Sequence, residues 1–429
     1  MFQVFRNAWK IEELRKKIWF TLFILLLYRI GNAVPVPYID SQLLESYFSS
    51  LQNTVLGLYN MMSGNAFSTA TLFALSIQPY INASIIIQLL CIAIPALERL
   101  SKEGGEEGRR KISSITRYAT VGIGLIMGTA YYLLIRNNGL LAAAGEGFWA
   151  AIVIIFSFVA GAALLMWLGE QITEFGLGNG ISIILFASIV SRLPSAVYNV
   201  FRNLFAGSLS VVAFIGIVIG VALIIVLIVF VSNAERRIPV QYAKRVVGRR
   251  MYGGQSTHLP MKVNMSGVMP VIFAQSIASL PATIASFLRT PKAGSFWAGL
   301  LNFLDTDGVP YMIFYFLLII AFGYFYATIQ FNPVEVANNL KKNGGFIPGY
   351  RPGRPTSEFI AKVLNRITLF GSIYLGVIAA LPIAFSGVTQ TAGISLGGTS
   401  IIIVVGVAIE IVQTLENQML MRHYKGFLD

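Results

Sequence analysis

The sequence predicts an all-α polytopic membrane protein with ten transmembrane helices, and three observations carry that expectation. Of 429 residues, 55% are hydrophobic and 12% are charged, about half the charged share of a soluble domain. The mean hydropathy of +0.70 agrees. Ten apolar runs are long enough to cross a bilayer core, near 18–34, 72–96, 119–135, 148–168, 181–201, 209–231, 269–288, 309–331, 367–386 and 399–415. Of the 32 Lys and Arg, 26 fall in the terminal segments and the loops on one side of these runs, five fall in the opposite loops, and Arg29 lies in the first run. The excess of cations marks the cytoplasmic side, so both termini are expected there.

Taken in order, residues 1–17 form a cytoplasmic segment whose "IEELRKK" runs straight into "IWFTLFILLLYRIG". With no small-residue cleavage site, that first run is expected to stay as an anchor. Next comes "VLGLYNMMSGNAFSTATLFALSIQP", which is apolar and uncharged but broken by Gly57, Gly64 and Pro79. A half-helix folded into a protected cavity fits such a segment, and so does an amphipathic hairpin on the outer surface. In "QPYINASIIIQLL" (78–90), helical spacing puts Ile77, Ile81, Ser84 and Gln88 on one face, with Gln78 and Asn82 beside it. The turn "LGEQITEFGLGNGIS" (168–182) has no Lys or Arg although it is cytoplasmic, so it does more than anchor.

Ten spans divide into five (18–201) and five (202–415), followed by a tail at 416–429. An odd number per half means that a second half of like fold enters the membrane inverted, with a path at the interface of the halves. The cytoplasmic loops 232–265 and 332–366 are far longer than topology requires. "PGYRPGRP" looks like a structured docking tip, and "YAKRVVGRRMYGG" could grip phosphates without reading bases.

Several chemistries are excluded. Cys91 is the only cysteine, and His258 and His423 alone make no histidine metal site. There is no phosphate-binding loop, no H-E-x-x-H and no spaced Ser/His/Asp set, so neither an enzyme nor a cofactor is expected, and energy must come from a partner. "GIGLIMG" and "GSIYLG" suit close helix packing. Arg29 and Glu410 are the clearest ionisable groups within the spans, and snorkelling or pairing explains them as well as function does.

The stretches "YRIGNAVPVPYID", "MMSGNAF", "LFALSIQPYINASIIIQLL", "KEGGEEGRRKISSITRY", "WLGEQITEFGLGNGISI", "GRRMYGGQSTHLPMKVNMSGVMPVIFA", "NPVEVANNLKKNGGFIPGYRPG" and "GGTSIII" follow one another along nearly the whole chain. In them the chain resembles the SecY family, the central channel subunits of the bacterial Sec protein translocase; the outer loops 136–147, 193–208 and 289–308 are its variable parts. The resemblance implies two inverted halves around a waist ring of Ile77, Ile81, Ile181, Leu185, Ile272 and Ile403, where Leu185 replaces the commoner isoleucine. It implies a plug over 55–69, including Val55, Gly57, Leu58, Asn60, Met61, Met62, Ser63, Gly64, Asn65, Phe67 and Thr69. It also implies a seam opening to lipid between spans two and seven, with Gln78, Asn82, Gln88, Gln275, Ser276 and Leu280, and with Asn82 facing Leu280.

Docking sites for the SecA ATPase and the ribosome are implied at Lys244, Arg245, Arg249, Arg250, Tyr350 and Arg351. Further implied partners are SecE, SecG, signal sequences and unfolded preproteins, SecDF, YidC, membrane lipid, and ribosomal RNA through its backbone only. The implied place is the bacterial plasma membrane. A secondary transporter of a small solute is the alternative that ten spans and broken helices also allow; a passive receptor fits an aliphatic waist less well.

Overall fold

Each of the ten apolar runs contains a helix. The computed structural model describes residues 2–49, 55–102, 104–142, 145, 147–207, 210–242, 245–247, 250–252, 256–265, 267–287, 308–389 and 398–425. The first half comprises α1 (Phe2–Lys10), α2 (Glu12–Gly31), α3 (Ser41–Ser49), α4 (Val55–Met62), α5 (Gln78–Ala93), α6 (Pro95–Lys102), α7 (Gly105–Asn137), α8 (Phe148–Phe175), α9 (Gly180–Val190) and α10 (Leu193–Phe205). The second comprises α11 (Val211–Ser232), strands β1 (Glu235–Tyr242), β2 (Arg245–Val247), β3 (Arg250–Tyr252) and β4 (Ser256–Lys262), α12 (Met269–Phe287), α13 (Val309–Gln330), α14 (Pro333–Lys342), β5 (Gly345–Phe346), α15 (Arg354–Thr389) and α16 (Gly398–Lys425). Among the described residues, seven helices are long and apolar enough to cross a membrane, or eight if one bent pair counts as a span. Of the other runs, α2 carries Glu12, Glu13 and Lys16 in its first turns, and α12 offers only a shorter apolar stretch, Met269–Pro281.

Boundaries depart from the apolar runs where local chemistry overrides hydropathy. The second run was expected at 72–96, yet its helix starts at Gln78, because Ala70 and Ser76 hold left-handed backbone (φ 45° and 51°) that no helix continues. That helix stops at Ile94, whose extended backbone is what a following proline demands, and the chain turns by 105° into α6. The supposed outer loop 193–208 is mostly α10, begun by Pro194 in its first turn. Residues 416–425 are not a separate tail but the last turns of α16.

The long loops meet in one small domain, which sequence reading took as two separate features. Strands order as β4-β1-β5, so β5 from the second loop pairs antiparallel with β1 from the first. Alternation along β1 turns Ile238 and Val240 inward. They join Met261, Ala337, Leu340, Ile347, Ile360 and Leu364 in an apolar core shared with α14 and the start of α15. A side chain at Gly345 would come within 2.9 Å of the Tyr242 ring, so any larger residue at the β1–β5 junction would push that ring aside.

A large apolar core runs through the helical bundle, and a second, aromatic-rich one lies around α3, α7 and α8. By chain direction, the second core sits at the end opposite the sheets.

Candidate functional site

The bundle core draws on most of the helices, and four of them supply the aliphatic residues expected from the sequence. Pro79 in the first turn of α5, with Ile77 as its N-cap, sets Ile77 and Ile81 one above the other, Ile81 N donating to Ile77 O at 3.1 Å. On α9, the Asn179 side chain accepts from the N–H groups of Ile181 and Ser182 at 3.1 and 3.4 Å, which starts the helix so that Ile181 and Leu185 share a face. Close approach of α8 permits this, because Gly180 leaves no room for a Cβ, which would lie 1.9 Å from Gly169 O. Helices α12 and α16 supply Ile272 and Ile403. Ile77, Ile81, Leu185, Ile272 and Ile403 are all at most 3% exposed and belong to one cluster, against which the half-buried Ile181 packs. The structure thus brings all six sequence-expected residues into one apolar core. Aliphatic side chains offer an ion no ligand.

A short helix, α4, leads up to this core, and its end is tied by polar groups. Gln78 Nε2 donates to Met62 Sδ at 3.1 Å, and Ser276 Oγ donates to Gln78 Oε1 at 3.4 Å. One buried amide on α5 therefore holds both the end of α4 and the helix α12. Ser76 Oγ also reaches Met62 O at 3.3 Å, and Tyr28 Oη donates to Ser63 O at 3.4 Å while bonding Ser188 Oγ at 2.6 Å. Beyond α4 the chain turns through Gly64 and Asn65, with φ of 66° and 75°. Phe67 then stacks on Tyr131 with ring centroids 4.3 Å apart, and Tyr131 Oη donates to the carbonyl of Phe67. Tyr28, Ser188 and Tyr131 were missed in the sequence; a tyrosine inside an apolar run, needing a partner for its hydroxyl, was the signal that could have found them.

Of the implied seam residues, Gln78 and Ser276 meet across α5 and α12. Asn82 is buried, but its amide is directed at Met127 Sδ on α7, 3.9 Å away, and Leu280 is partly exposed on α12. Gln88 bonds Ser84 along its own helix at 3.0 Å. Gln275 is buried on α12 beside Ser276, and its Oε1 has no hydrogen-bond partner among the described residues.

At the sheet end, Lys244 and Arg249 lie outside the described residues, whereas Arg245 and Arg250 lie on the hairpin β2–β3, paired with Tyr252 and Val247. Tyr350 is exposed and stacks on Phe359 at 4.2 Å, while Gly349 and Gly353 at φ 88° and 108° shape the tip between them. Arg351 is exposed, and its carbonyl accepts from Thr356 Oγ1 at 2.8 Å. On the same side of the bundle, the Glu107 carboxyl is held below its usual range by a hydrogen bond and the charge of Lys111, 2.8 Å away. Among the described residues, no group of three His, Cys, Asp or Glu could hold a metal ion.

These features define a class: a multi-pass, mostly helical membrane protein with a large apolar core through its bundle, against which the end of a short helix is packed. The family model for SecY matches residues 71–412. Over the whole length of both chains, the protein translocase subunits SecY of Streptomyces coelicolor and Mycobacterium tuberculosis are 46% and 42% identical to it. In fold it resembles a solved protein-conducting channel, with a TM-score of 0.68 at 18% identity, covering 94% of this chain and 92% of that one. Sec61 in the canine ribosome–channel complex gives 0.64 at 18% identity, over the same shares of the two chains. The chain belongs to the SecY family. Its role is that of a protein-translocation channel subunit, and it is not an enzyme.

Proposed function

We propose that this chain is the pore of a plasma-membrane translocase that moves unfolded secretory polypeptides and lets apolar segments pass sideways into lipid. Both termini and the sheet domain face the cytoplasm. The observation that carries this reading is that the six aliphatic residues from α5, α9, α12 and α16 all lie in or against the central apolar core. That ring seals the resting pore because it cannot be wetted, and it stretches around a passing chain because no polar bond fixes its members. Helix α4 with the residues after it is the plug, and α5 and α12 are the leaves of the gate.

Signal sequences enter between those leaves, where each buried CH₂ contributes about 0.8 kcal/mol. The sheet domain, with Arg351 at its tip and the β2–β3 hairpin, docks the SecA motor and the ribosome, the latter through phosphate contacts alone. SecE and SecG complete the complex, and SecDF and YidC join it.

The test is ion leak. In liposomes, Ile81→Asn and Ile403→Asn should raise resting conductance, because a carboxamide in the ring gives water and ions a partner. Unchanged conductance in both single variants and in the double would refute the ring. Uptake of a small solute by the purified protein with no motor would favour a secondary transporter instead.

A further inference from the structure

We infer that Thr21 on α2 is a positioning residue for the waist ring, an inference that rests on the ring reading above. It fixes the turn between α8 and α9, and through that turn the places of Ile181 and Leu185. The turn belongs to the stretch 168–182, which has no Lys or Arg although it lies on the cation-rich side. Its backbone supplies the reason. Gly176, Leu177 and Gly180 are buried, so N–H groups there need acceptors from the protein itself. Lys and Arg side chains only donate, whereas Thr and Asn can accept.

Three side chains take four of these donors. Asn179 Oδ1 accepts from Ile181 N and Ser182 N, as described above, and Thr173 Oγ1 accepts from Gly180 N at 2.9 Å. The fourth, Leu177 N, donates to Thr21 Oγ1 at 3.2 Å, and the same hydroxyl donates to Lys17 O at 2.9 Å. Asn179 and Thr173 belong to the turn and to the helix that leads into it. Thr21 lies 156 positions from Leu177, so its bond is the one of the four that ties the turn to another helix.

Two close approaches leave the turn little slack. A Cβ on Gly176 would lie 2.6 Å from Thr21 Oγ1, and one on Gly180 would lie 1.9 Å from Gly169 O. Gly169 itself faces the ring, since a Cβ there would stand 3.5 Å from Ile77 Cδ1 and 3.7 Å from Ile181 Cγ1. Between the two approaches, Gly178 takes left-handed backbone with φ of 64°. Thr21 and Leu177 are both buried, so loss of the hydroxyl leaves the Leu177 N–H unpaired and shielded from water. Finding it a new partner means moving the turn, and Ile181, the residue after Gly180, moves with it. Leu185 follows one helical turn later. Thr21 thus acts on the ring through the turn, without lining it.

The experiment uses the assembled translocase in proteoliposomes on a Cys91→Ser background, with a single Ile181→Cys or Ile272→Cys reporter. Reactivity toward a small methanethiosulfonate is read at rest, and ion leak is read in protein without a reporter. Thr21→Val keeps the shape and removes the hydroxyl. It should raise leak and speed modification at position 181 several-fold, leaving position 272 unchanged; Thr21→Ala serves if that variant fails to assemble. Thr21→Ser keeps the hydroxyl and should leave leak and both rates near native. A larger effect of Thr21→Ser than of Thr21→Val would assign the role to the methyl group, and equal acceleration at 181 and 272 would mean general loosening; either overturns the inference. So does native behaviour of Thr21→Val in a preparation where Ile81→Asn leaks. If Ile81→Asn does not leak either, the ring reading falls, and the inference with it.

Discussion

Gln78→Leu should open the resting channel, since the Gln78 side chain bonds both Met62 at the end of α4 and Ser276 on α12. Leucine keeps most of the volume, so the main loss is two hydrogen bonds, to Met62 at 3.1 Å and from Ser276 at 3.4 Å. A neutral hydrogen bond contributes about 0.5–1.5 kcal/mol net, and a thioether acceptor and a long contact belong in the lower half of that range. The pair together is then worth about 1–2 kcal/mol, with the Ser276 hydroxyl left buried without its acceptor. At about 1.4 kcal/mol per factor of ten, the open population should rise by roughly 5–30-fold. Single-channel recording in planar bilayers reads this directly as more frequent spontaneous openings, and export of a preprotein with a defective signal sequence should rise in parallel. Correctly inserted Gln78→Leu protein with unaltered resting conductance would show that the amide is ordinary core packing. Combining it with Ser276→Ala should add less than the sum of the two single effects, because both remove the same bond.

Arg351→Glu should abolish SecA-driven export while leaving insertion and folding intact, because the side chain is exposed and only its backbone carbonyl serves the fold. Full ATP-dependent export by that variant would remove Arg351 from the docking surface. Arg250→Glu should weaken ribosome binding most at low salt, as expected of lost phosphate contacts, without touching the SecA reaction; an equal loss at all salt concentrations would point to damaged structure. Gly180→Ala should lower the unfolding temperature in detergent, since the new Cβ would lie 1.9 Å from Gly169 O and 2.8 Å from Ile172 Cβ, at or beyond the roughly 1–3 kcal/mol typical of overpacking. An unchanged unfolding temperature would mean that α8 and α9 are farther apart than described.

The sequence by itself determined the membrane class, the helical segments and the partition of cations, because each of these is set by local composition. A run of about 20 apolar residues must satisfy its own backbone in lipid, and only a helix does so within one segment. The break after Ile94 and the start of α9 at Asn179 were not read from the sequence, although their causes are local: Pro95, and a side chain that caps its own helix. The six ring residues came from likeness to a family, since helical spacing alone put Ile77 and Ile81 on a face but could not say what that face meets.

Only the tertiary structure decided which residues bond across the bundle. Gln78 meets Ser276 198 positions away, Tyr131 reaches back 64 positions to Phe67, and β5 pairs with β1 across an interval of about a hundred residues. For that reason the two long loops looked like two docking tips when they are one domain, and the amide of Asn82, expected to face Leu280, is directed at Met127. The physical reason is the same throughout. An apolar residue needs only to leave water, and any neighbour suffices, so its fate is legible from composition. A buried polar group needs one particular partner at about 3 Å, and the identity of that partner is settled by how the helices and strands pack.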